Sequence, residues 1–340
     1  MLAAVIAAMG RSDPFSTRLH GVPKLGLGMA ALGRPGYINL GHADDMPGER
    51  GVDEMRAHAH AVLDAAYALG LRYFDCARSY GLSEDFVASW LATRRDAAAA
   101  AICGSKWGYE YTANWRVQVG EGEAHEVKFH TPEQFEKQVA ESRALLPSMA
   151  VYQIHSATEA SGVLDNEAVL ARLAALRDGG VVAGLSVSHP QVPTIAKATA
   201  LRDAGGAPIF GSVQATFNLL DQSAAGALRA AHDAGMVVIV KEALANGRLT
   251  ARSDDARLKP LRDVAAGLGV GIDAVALAWV MSQPFVDVCL SGAATVEQLK
   301  ENAAALAITP LSDETMRLLA GTMAIECEDY WAERRGLAWN

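Results

Sequence analysis

The sequence predicts an α/β protein that forms a single (β/α)8 barrel, the TIM-barrel fold. Eight short apolar runs recur along the 340 residues, and amphipathic stretches separate them. Continuous apolar character is typical of strands that a parallel sheet buries on both faces. The runs are residues 24–28, 72–75, 101–106, 150–155, 181–187, 211–215, 236–241 and 286–291. Eight strands with interleaved helices favour a closed barrel, and the chain length suits one such domain over residues 1–340.

Helical signals fill the gaps between the runs. Residues 53–69 carry an apolar stripe and end at Gly70, a common helix terminator. Thr131, Pro132 and Gln134 are the residue types of an N-cap, a first-turn proline and a capping-box glutamine. Two more helices, each followed by glycine, are predicted at 164–177 and 221–234.

An open doubly wound sheet is the alternative arrangement. A Rossmann domain needs G-x-G-x-x-G between its first strand and the following helix. Gly26 and Gly28 supply only a bare G-x-G, and Ala31 stands at the last position. Glycines and prolines follow instead of a helical pattern, so we expect the closed barrel.

Two long connections and a C-terminal tail interrupt or end this rhythm, at residues 33–51, 107–130 and 311–340. Long connections in a compact domain are usually functional loops. Trp107, Tyr109 and Trp115 in the second connection either line a substrate pocket or only cover the barrel mouth.

Composition and charge narrow the classes of function. A net charge of −9 argues against a non-specific nucleic-acid binder, which needs a basic face. No apolar run reaches the length of about 18 residues that spans a membrane. The apolar first ten residues lack the basic start of a signal peptide. The four cysteines are far apart in the sequence, so we expect reduced thiols in a cytoplasmic protein and no metal site.

Three consecutive predicted strands end in ionisable residues, namely Asp75, Lys106 and His155. The C-terminal strand ends form the active-site face of α/β barrels, and neighbouring strands lie about 4.8 Å apart. Each residue alone has an ordinary explanation, such as a buried cap or a satisfied core histidine. Three of them at equivalent strand ends predict one shared site.

Tyr80 follows Asp75 by five residues, which lets the loop after the second strand fold the phenol over this site. A free phenol has a pKa of about 10 and is a poor acid near neutral pH. We expect Lys106 to lower the pKa of Tyr80 and Asp75 to hold Lys106 in place. His155 would then hydrogen-bond a substrate oxygen. A proton donor whose pKa is adjusted by neighbouring charges is what general acid–base catalysis requires.

The residues around this cluster resemble the aldo-keto reductase family. Residues 74–84 read FDCARSYGLSE, against the family's F-D-T-A-x-x-Y-G-x-S-E. Further segments that resemble the family are SKWG (105–108), VYQIH (151–155), GLS (184–186), VQATFNLL (213–220), and GA with QLKEN (292–293 and 298–302). The resemblance extends over residues 25–306, nearly the whole chain.

This resemblance implies an oxidoreductase that holds NADP(H) or NAD(H) in an extended pose. Hydride would pass between the cofactor and an aldehyde or ketone, or the corresponding alcohol or sugar. Asp75, Tyr80, Lys106 and His155 match the family's catalytic tetrad, in which Tyr80 would be the general acid or base. The implied cofactor-binding residues are Gly28, Met29, Asp75, Ser186, Gln214, Lys241, Leu244, Gly247, Arg248, Ser291, Gly292, Gln298, Glu301 and Asn302.

Two positions near the implied nicotinamide depart from the family pattern. Val187 stands where many members have asparagine, so one amide contact is in doubt. Lys241 stands where many members have an aromatic ring that stacks on the nicotinamide. It could pair instead with a cofactor phosphate, or with Glu242 or another acid.

The cofactor preference depends on the residues near a 2′-phosphate, which favours arginine or lysine. Gln298 stands where many NADP-specific members have arginine. Lys300 and Arg248 are nearby candidates, so the expectation leans to NADP, with NAD as the alternative.

A regulatory or partner subunit with the same nucleotide-binding barrel and little turnover is the competing function. The intact tetrad favours an enzyme with a small carbonyl or alcohol substrate, and turnover of an aldehyde panel would decide. The sequence leaves the substrate and the direction of the reaction open.

Overall fold

Eight parallel strands close into a barrel in this computed structural model, which describes residues 14–46, 48 and 50–340. Each strand coincides with one of the eight apolar runs, so the predicted fold is confirmed. The strands are β1 (Leu25–Gly28), β2 (Tyr73–Asp75), β3 (Ile102–Trp107), β4 (Val151–Ala157), β5 (Val182–Val187), β6 (Ser212–Thr216), β7 (Val237–Lys241) and β8 (Val288–Ser291). Every strand pairs in parallel with its two sequence neighbours, and β8 closes the barrel against β1. The apolar first ten residues lie outside the described part of the chain.

Two apolar cores lie on the two sides of the barrel wall. Inside, residues from the starts of the strands pack together, and Phe15 of the helix Pro14–Leu19 closes that end. The ring centroid of Phe15 lies 5.6 Å from that of Tyr73. Outside, the larger core fills the space between strands and helices. Because the strand starts are plugged, the cavity of the barrel opens at the C-terminal strand ends.

Helices follow every strand and cover the barrel. In chain order, the helices after Pro14–Leu19 are His42–Asp45, Val52–Ala68, Ser83–Thr93, Arg95–Ala100, Pro132–Leu145, Glu167–Asp178, Gln191–Ala200, Ala225–Asp233, Lys259–Leu268, Ile272–Met281, Val296–Ala303, Ala305–Ile308, Asp313–Met323 and Cys327–Arg335.

Two predicted helices begin later than expected because polar side chains hold the preceding turns. The predicted helix 164–177 begins at Glu167, where the Asn166 side chain accepts from the Val169 N–H at 3.2 Å. The predicted helix 221–234 begins only at Ala225. There, Asp221 Oδ1 accepts from the N–H and the hydroxyl of Ser223, at 3.1 and 2.6 Å, and keeps these residues in a turn.

The predicted capping box before Pro132 is half right. Thr131 Oγ1 accepts from the Gln134 N–H at 3.2 Å, as an N-cap does. The Gln134 side chain does not return to Thr131. It donates to Glu110 Oε1 at 3.3 Å, because the long connection brings that carboxylate alongside the helix.

The two long connections and the tail carry structure of their own and meet at the barrel mouth. Residues 107–130 are not a plain loop, because strands Tyr109–Tyr111 and Glu126–Lys128 form an antiparallel hairpin. After the last helix the chain returns over the mouth, where Asn340 and Tyr37 exchange two backbone hydrogen bonds of 3.1 Å. These three segments therefore form the walls above the strand ends.

Three further features of the described residues concern membrane-spanning helices, groups of metal-ligating side chains and the pairing of cysteines. Within the described residues, no single helix is long and apolar enough to cross a membrane; the pair Ala256–Leu268 and Ile272–Met281, bent by 94°, reaches that length and composition only jointly. In the same part of the chain, no three His, Cys, Asp or Glu side chains are grouped so that they could hold a metal ion. Cys76, Cys103 and Cys289 are buried free thiols, and Cys327 is a half-buried one.

Candidate active site

A cavity of about 550 Å³ opens at the C-terminal ends of the barrel strands. Its lining runs from Tyr80 and His155, beside β2 and β4, to Gln298, Glu301 and Asn302 on the helix after β8. The predicted cluster and the implied cofactor segment thus share one cavity.

Asp75 and Lys106 form a buried ion pair at the ends of neighbouring strands. Lys106 Nζ donates to Asp75 Oδ2 at 2.5 Å and to the Cys76 carbonyl at 2.9 Å. Asp75 Oδ1 accepts from Tyr73 Oη at 3.2 Å and from Gln214 Nε2 at 3.0 Å. The Lys106 side chain is 0% exposed and that of Asp75 is 3% exposed. Both carboxylate oxygens have partners, which a buried ion pair requires if it is not to destabilise the fold.

The Tyr80 ring lies over this ion pair because two loops pack backbone to backbone. A Cβ on Gly33 would lie 2.3 Å from the Tyr80 carbonyl oxygen, and a Cβ on Gly81 (φ +60°) would lie 2.3 Å from the Gly33 carbonyl oxygen. Only glycine fits at either position. The Tyr80 ring centroid then lies 4.8 Å from Lys106 Nζ, and Tyr80 Oη lies 3.5 Å from His155 Nε2. The structure thus brings the four predicted catalytic residues together.

The pKa of Tyr80 moves in the direction opposite to the one expected from the sequence. Burial raises this pKa well above 10, the charge of Asp75 raises it further, and the Arg34 guanidinium opposes both. The Lys106 ammonium, which was expected to lower this pKa, is paired with the Asp75 carboxylate, and the charge of that carboxylate acts in the opposite direction. Tyr80, like any phenol whose pKa is about 10 or higher, is protonated at neutral pH, which is the form that donates a proton.

His155 is neutral and oriented by Ser79. Burial, and then the positive charge of Lys106, lower the pKa of His155 well below 6.5. Ser79 Oγ lies 3.2 Å from Nδ1. A hydroxyl that donates to Nδ1 leaves the ring proton on Nε2, the nitrogen that faces Tyr80. The phenol O–H and the imidazole N–H can therefore both donate to one oxygen placed between them.

Three further side chains, which the sequence did not identify, surround the outer face of Tyr80. The guanidinium carbon of Arg34 lies 5.2 Å from the Tyr80 ring centroid, 5.5 Å from that of Tyr37 and 4.7 Å from that of Trp339. All of them line the cavity. Arg34 and Tyr37 belong to the connection 33–51, which was predicted to be a functional loop from its length, whereas Trp339 belongs to the tail, where the sequence showed no such signal.

Comparison with known proteins decides the family. The sequence profile of the Aldo/keto reductase family matches residues 24–322. The chain belongs to the aldo/keto reductase family. Aldo-keto reductase AKR11C1 from Bacillus halodurans, in its holo form, has a similar fold (TM-score 0.65, 21% identity, 89% of this chain and 92% of that one).

Two structures from Pseudomonas aeruginosa, both assigned as aldo-keto reductases, are also similar. PA4992 has a TM-score of 0.60 at 23% identity over 85% of this chain and 91% of its own. The other has a TM-score of 0.59 at 22% identity over the same shares. No curated protein sequence matches the chain. At these identities the neighbours support the fold, and the family match makes the chain an oxidoreductase of the aldo-keto reductase type.

In this aldo/keto reductase, Lys241 pairs inside the protein. Its Nζ donates to Thr216 Oγ1 at 3.1 Å and lies 3.9 Å from Glu242 Oε1. Glu242 also binds Arg334, with Nη2 at 2.6 Å from Oε1. Burial alone would raise the pKa of Glu242, but these two cations lower this pKa to about 2. Of the alternatives for Lys241, the structure therefore supplies the acid partner.

Most of the implied cofactor residues line the cavity: Gly28, Asp75, Gln214, Lys241, Leu244, Gly247, Ser291, Gly292, Gln298, Glu301 and Asn302. Three do not. Met29 is fully buried in the core, and Ser186 is buried with its Oγ accepting from the Ser156 N–H at 2.9 Å. Arg248 Nη1 binds Glu333 Oε2 at 2.9 Å.

The cavity fits a long, polar cofactor. The buried Asn246 side chain lines it, and its Oδ1 has no hydrogen-bond partner among the described residues. Gly292 lies open to it: the one neighbour that a Cβ there would meet is Asn39 Nδ2 at 4.0 Å. Backbone can approach a ligand closely at such a position.

The aromatic residues predicted for the substrate pocket lie elsewhere. Trp107 is fully buried and packs against Phe135, with ring centroids 5.1 Å apart. Trp115 donates its Nε1–H to the Arg50 carbonyl at 2.7 Å. Tyr109 lies closer, with its ring centroid 5.0 Å from that of His155. None of the three is among the residues that line the cavity, whereas Tyr37 and Trp339 line it.

Proposed function

We propose that the protein is an NAD(P)(H)-dependent oxidoreductase that interconverts a small aldehyde or ketone and its alcohol. Tyr80 is its general acid in reduction and its general base in oxidation. The observation that carries the proposal is the meeting of Tyr80 Oη and His155 Nε2, 3.5 Å apart, above a buried Asp75–Lys106 pair in the cavity that the cofactor segment also lines. Family membership supports the same reaction class.

The tetrad residues have separate tasks in this proposal. Tyr80 and His155 bind the carbonyl oxygen through two hydrogen bonds and so orient the carbonyl carbon. Tyr80 gives its proton to that oxygen as negative charge develops there, and the ammonium of Lys106 stabilises the phenolate that remains. Asp75 holds Lys106 beneath the ring. A nicotinamide cofactor, when bound, supplies or accepts the hydride.

The residues that would hold this cofactor lie along the cavity from Gln214 to Asn302. Gln214 would bind the nicotinamide end, since its amide lies against Asp75. Gly292 and the first turn of the helix Val296–Ala303 would bind phosphate through backbone N–H groups. Of the two cations behind the expected NADP preference, Arg248 is paired with Glu333 and Lys300 is exposed. Of the two residues on which the expected preference for NADP was based, only Lys300 therefore remains available to a 2′-phosphate.

The test is a Tyr80→Phe variant in single-turnover hydride transfer at saturating cofactor, with a panel of aldehydes and ketones. We expect reduction to fall by about 10²–10⁴-fold, the usual contribution of a positioned general acid. Binding of NADH and NADPH should remain near the wild-type level, because the phenol does not contact the phosphates. Circular dichroism checks that the variant is folded.

Two results would contradict the proposal. Tyr80→Phe turnover at the wild-type rate would remove Tyr80 from the mechanism. A wild-type protein that binds either dinucleotide tightly but reduces no member of the panel, and oxidises none of the corresponding alcohols, would favour the regulatory or partner subunit.

A further inference from the structure

Three segments that are far apart in the sequence meet at the carboxylate of Asp45, at the end of the cavity opposite Tyr80. Asp45 ends the short helix His42–Asp45 in the connection after β1, and its side chain is 5% exposed. Arg252, from the connection after β7, donates to both Asp45 oxygens, with Nη1 at 2.9 Å from Oδ2. Gln298, on the helix after β8, donates its Nε2–H to Asp45 Oδ1 at 2.7 Å. All three residues line the cavity.

The Gln298 amide is held in one orientation, with its nitrogen toward Asp45. Its Oε1 accepts from the Ala294 N–H at 2.8 Å, and its backbone N–H donates to Thr295 Oγ1 at 3.2 Å. One of the two Nε2 hydrogens of Gln298 is therefore committed to Asp45, and the other is an uncharged amide donor, which binds a phosphate more weakly than a guanidinium or ammonium does.

The charge around this point is negative on balance. Asp45 raises the pKa of Arg252 the most, and Asp44 and Glu301 raise it further. Three carboxylates thus act on one guanidinium. Arg252 is also committed elsewhere, since its Nη1 donates to the Leu40 and Gly41 carbonyls at 3.1 and 3.0 Å.

A ribose 2′-hydroxyl and a 2′-phosphate make opposite demands on such a site. A carboxylate accepts a hydrogen bond from the hydroxyl, whereas a phosphate needs a free arginine or lysine and is repelled by carboxylates. We propose that Asp45 selects NAD(H) over NADP(H), by accepting from the adenosine ribose and opposing a 2′-phosphate. This inference rests on the proposed function, and it reverses the preference expected from the sequence.

The competing explanation is that the Asp45–Arg252 pair only closes the cavity over the cofactor. Such a closure would retain both dinucleotides equally, because they differ solely at the 2′ position. The quantity that separates the two explanations is therefore the ratio of the two dissociation constants, not either constant alone.

The experiment measures binding of NADH and NADPH to the full chain by calorimetry. It also measures 5′-AMP and adenosine 2′,5′-bisphosphate, which probe the adenosine end without the reacting ring. We expect wild type to favour NADH by about tenfold or more and Asp45→Asn to reduce the ratio by about tenfold. The exposed neighbour Asp44 supplies the matched control, since Asp44→Asn removes the same charge without a contact to Gln298. It should change the ratio by less than about twofold.

Gln298→Arg tests the same point if Asp45→Asn does not fold. A guanidinium there neutralises Asp45 and adds a donor for phosphate, so the ratio should move toward NADPH.

Two results would overturn the inference. They are wild-type binding of NADPH at least as tight as that of NADH and an equal effect of Asp45→Asn on both dinucleotides. A reversed preference with intact carbonyl reduction contradicts only this inference, whereas binding of neither dinucleotide contradicts the proposed function as well.

Discussion

At the Tyr80 end of the cavity the polar side chains come from the ends of neighbouring barrel strands and the loop that follows one of them. At the Asp45 end they come from a short helix, a loop and a longer helix that are far apart in the sequence. The Asp75–Lys106 pair is 3% and 0% exposed, whereas in the Asp45–Arg252 pair the arginine is 37% exposed. The two ends therefore contain ion pairs of similar composition in different surroundings.

This difference indicates which charged side chains can move toward solvent when they lose their partner and which cannot. A strand end inside a closed barrel has no freedom to move, so a charge left without its partner there remains buried and unpaired. A loop residue at the rim can turn toward water, where an ion pair contributes little. The Tyr80 end is thus the rigid one, suited to chemistry, and the Asp45 end is the adaptable one, suited to recognition.

The largest expected effect compares the same change at the two ends. Lys106→Met leaves Asp75 buried without its ammonium, so we expect a loss of about 3 kcal/mol in the free energy of unfolding and of most turnover. Arg252→Met is expected to cost about 1 kcal/mol or less, since the arginine is 37% exposed and Gln298 still donates to the Asp45 carboxylate. Urea unfolding of both variants gives the measurement, and equal losses would show that the two ends do not differ in this way.

The next effect is a loss of stability at acidic pH, which we expect from His42 at the Asp45 end. Burial lowers the pKa of His42 to about 4, and neither ring nitrogen has a hydrogen-bond partner among the described residues. Below pH 6.5 the His42 imidazole binds a proton in the unfolded chain, whereas in the folded protein it remains neutral until the pH approaches 4. The free energy of unfolding therefore falls as pH drops from 6.5 toward 4, by about 1.4 kcal/mol per pH unit from this group.

The variant His42→Phe keeps a ring of similar shape beside Tyr37 and removes the titration. We expect its stability to depend less steeply on pH than that of wild type over the window from pH 6.5 to 4, with the two proteins compared by urea unfolding at each pH. Parallel pH curves would mean that His42 is accessible to protons in the folded state.

The smallest effect sharpens the description of the Tyr80 end. Ser79→Ala removes the partner of His155 Nδ1 without touching the ion pair. A hydrogen bond of about 1 kcal/mol corresponds to a decrease of about fivefold in hydride transfer. Ser79→Thr keeps the hydroxyl and should restore the rate, while cofactor binding stays unchanged in both. An undiminished rate in Ser79→Ala would mean that Ser79 does not orient the imidazole.

The site residues at the strand ends could be predicted from the sequence because every strand of a parallel barrel has the same orientation and spacing relative to its neighbours. Apolar runs located β2, β3 and β4, and the residue at or near the end of each run, Asp75, Lys106 or His155, had to face the same mouth. Tyr80 followed from the short distance along the chain to Asp75. Parallel strands in register place equivalent positions side by side, so these contacts needed no knowledge of the rest of the fold.

Tertiary structure alone decided what depends on packing between distant loops. The pKa of Tyr80 rises because the loops of Gly33 and Gly81 bury the ring, and no spacing in the sequence measures that burial. Arg34 lies against the rings of both Tyr80 and Trp339, the latter close to the end of the sequence, and Asp45 contacts Gln298, 253 positions further along the chain. Loop conformations are set by the surfaces on which they settle rather than by local periodicity. The four proposed catalytic residues therefore followed from the sequence pattern, whereas the walls of the cavity and the proposed selection against a 2′-phosphate followed only from the folded chain.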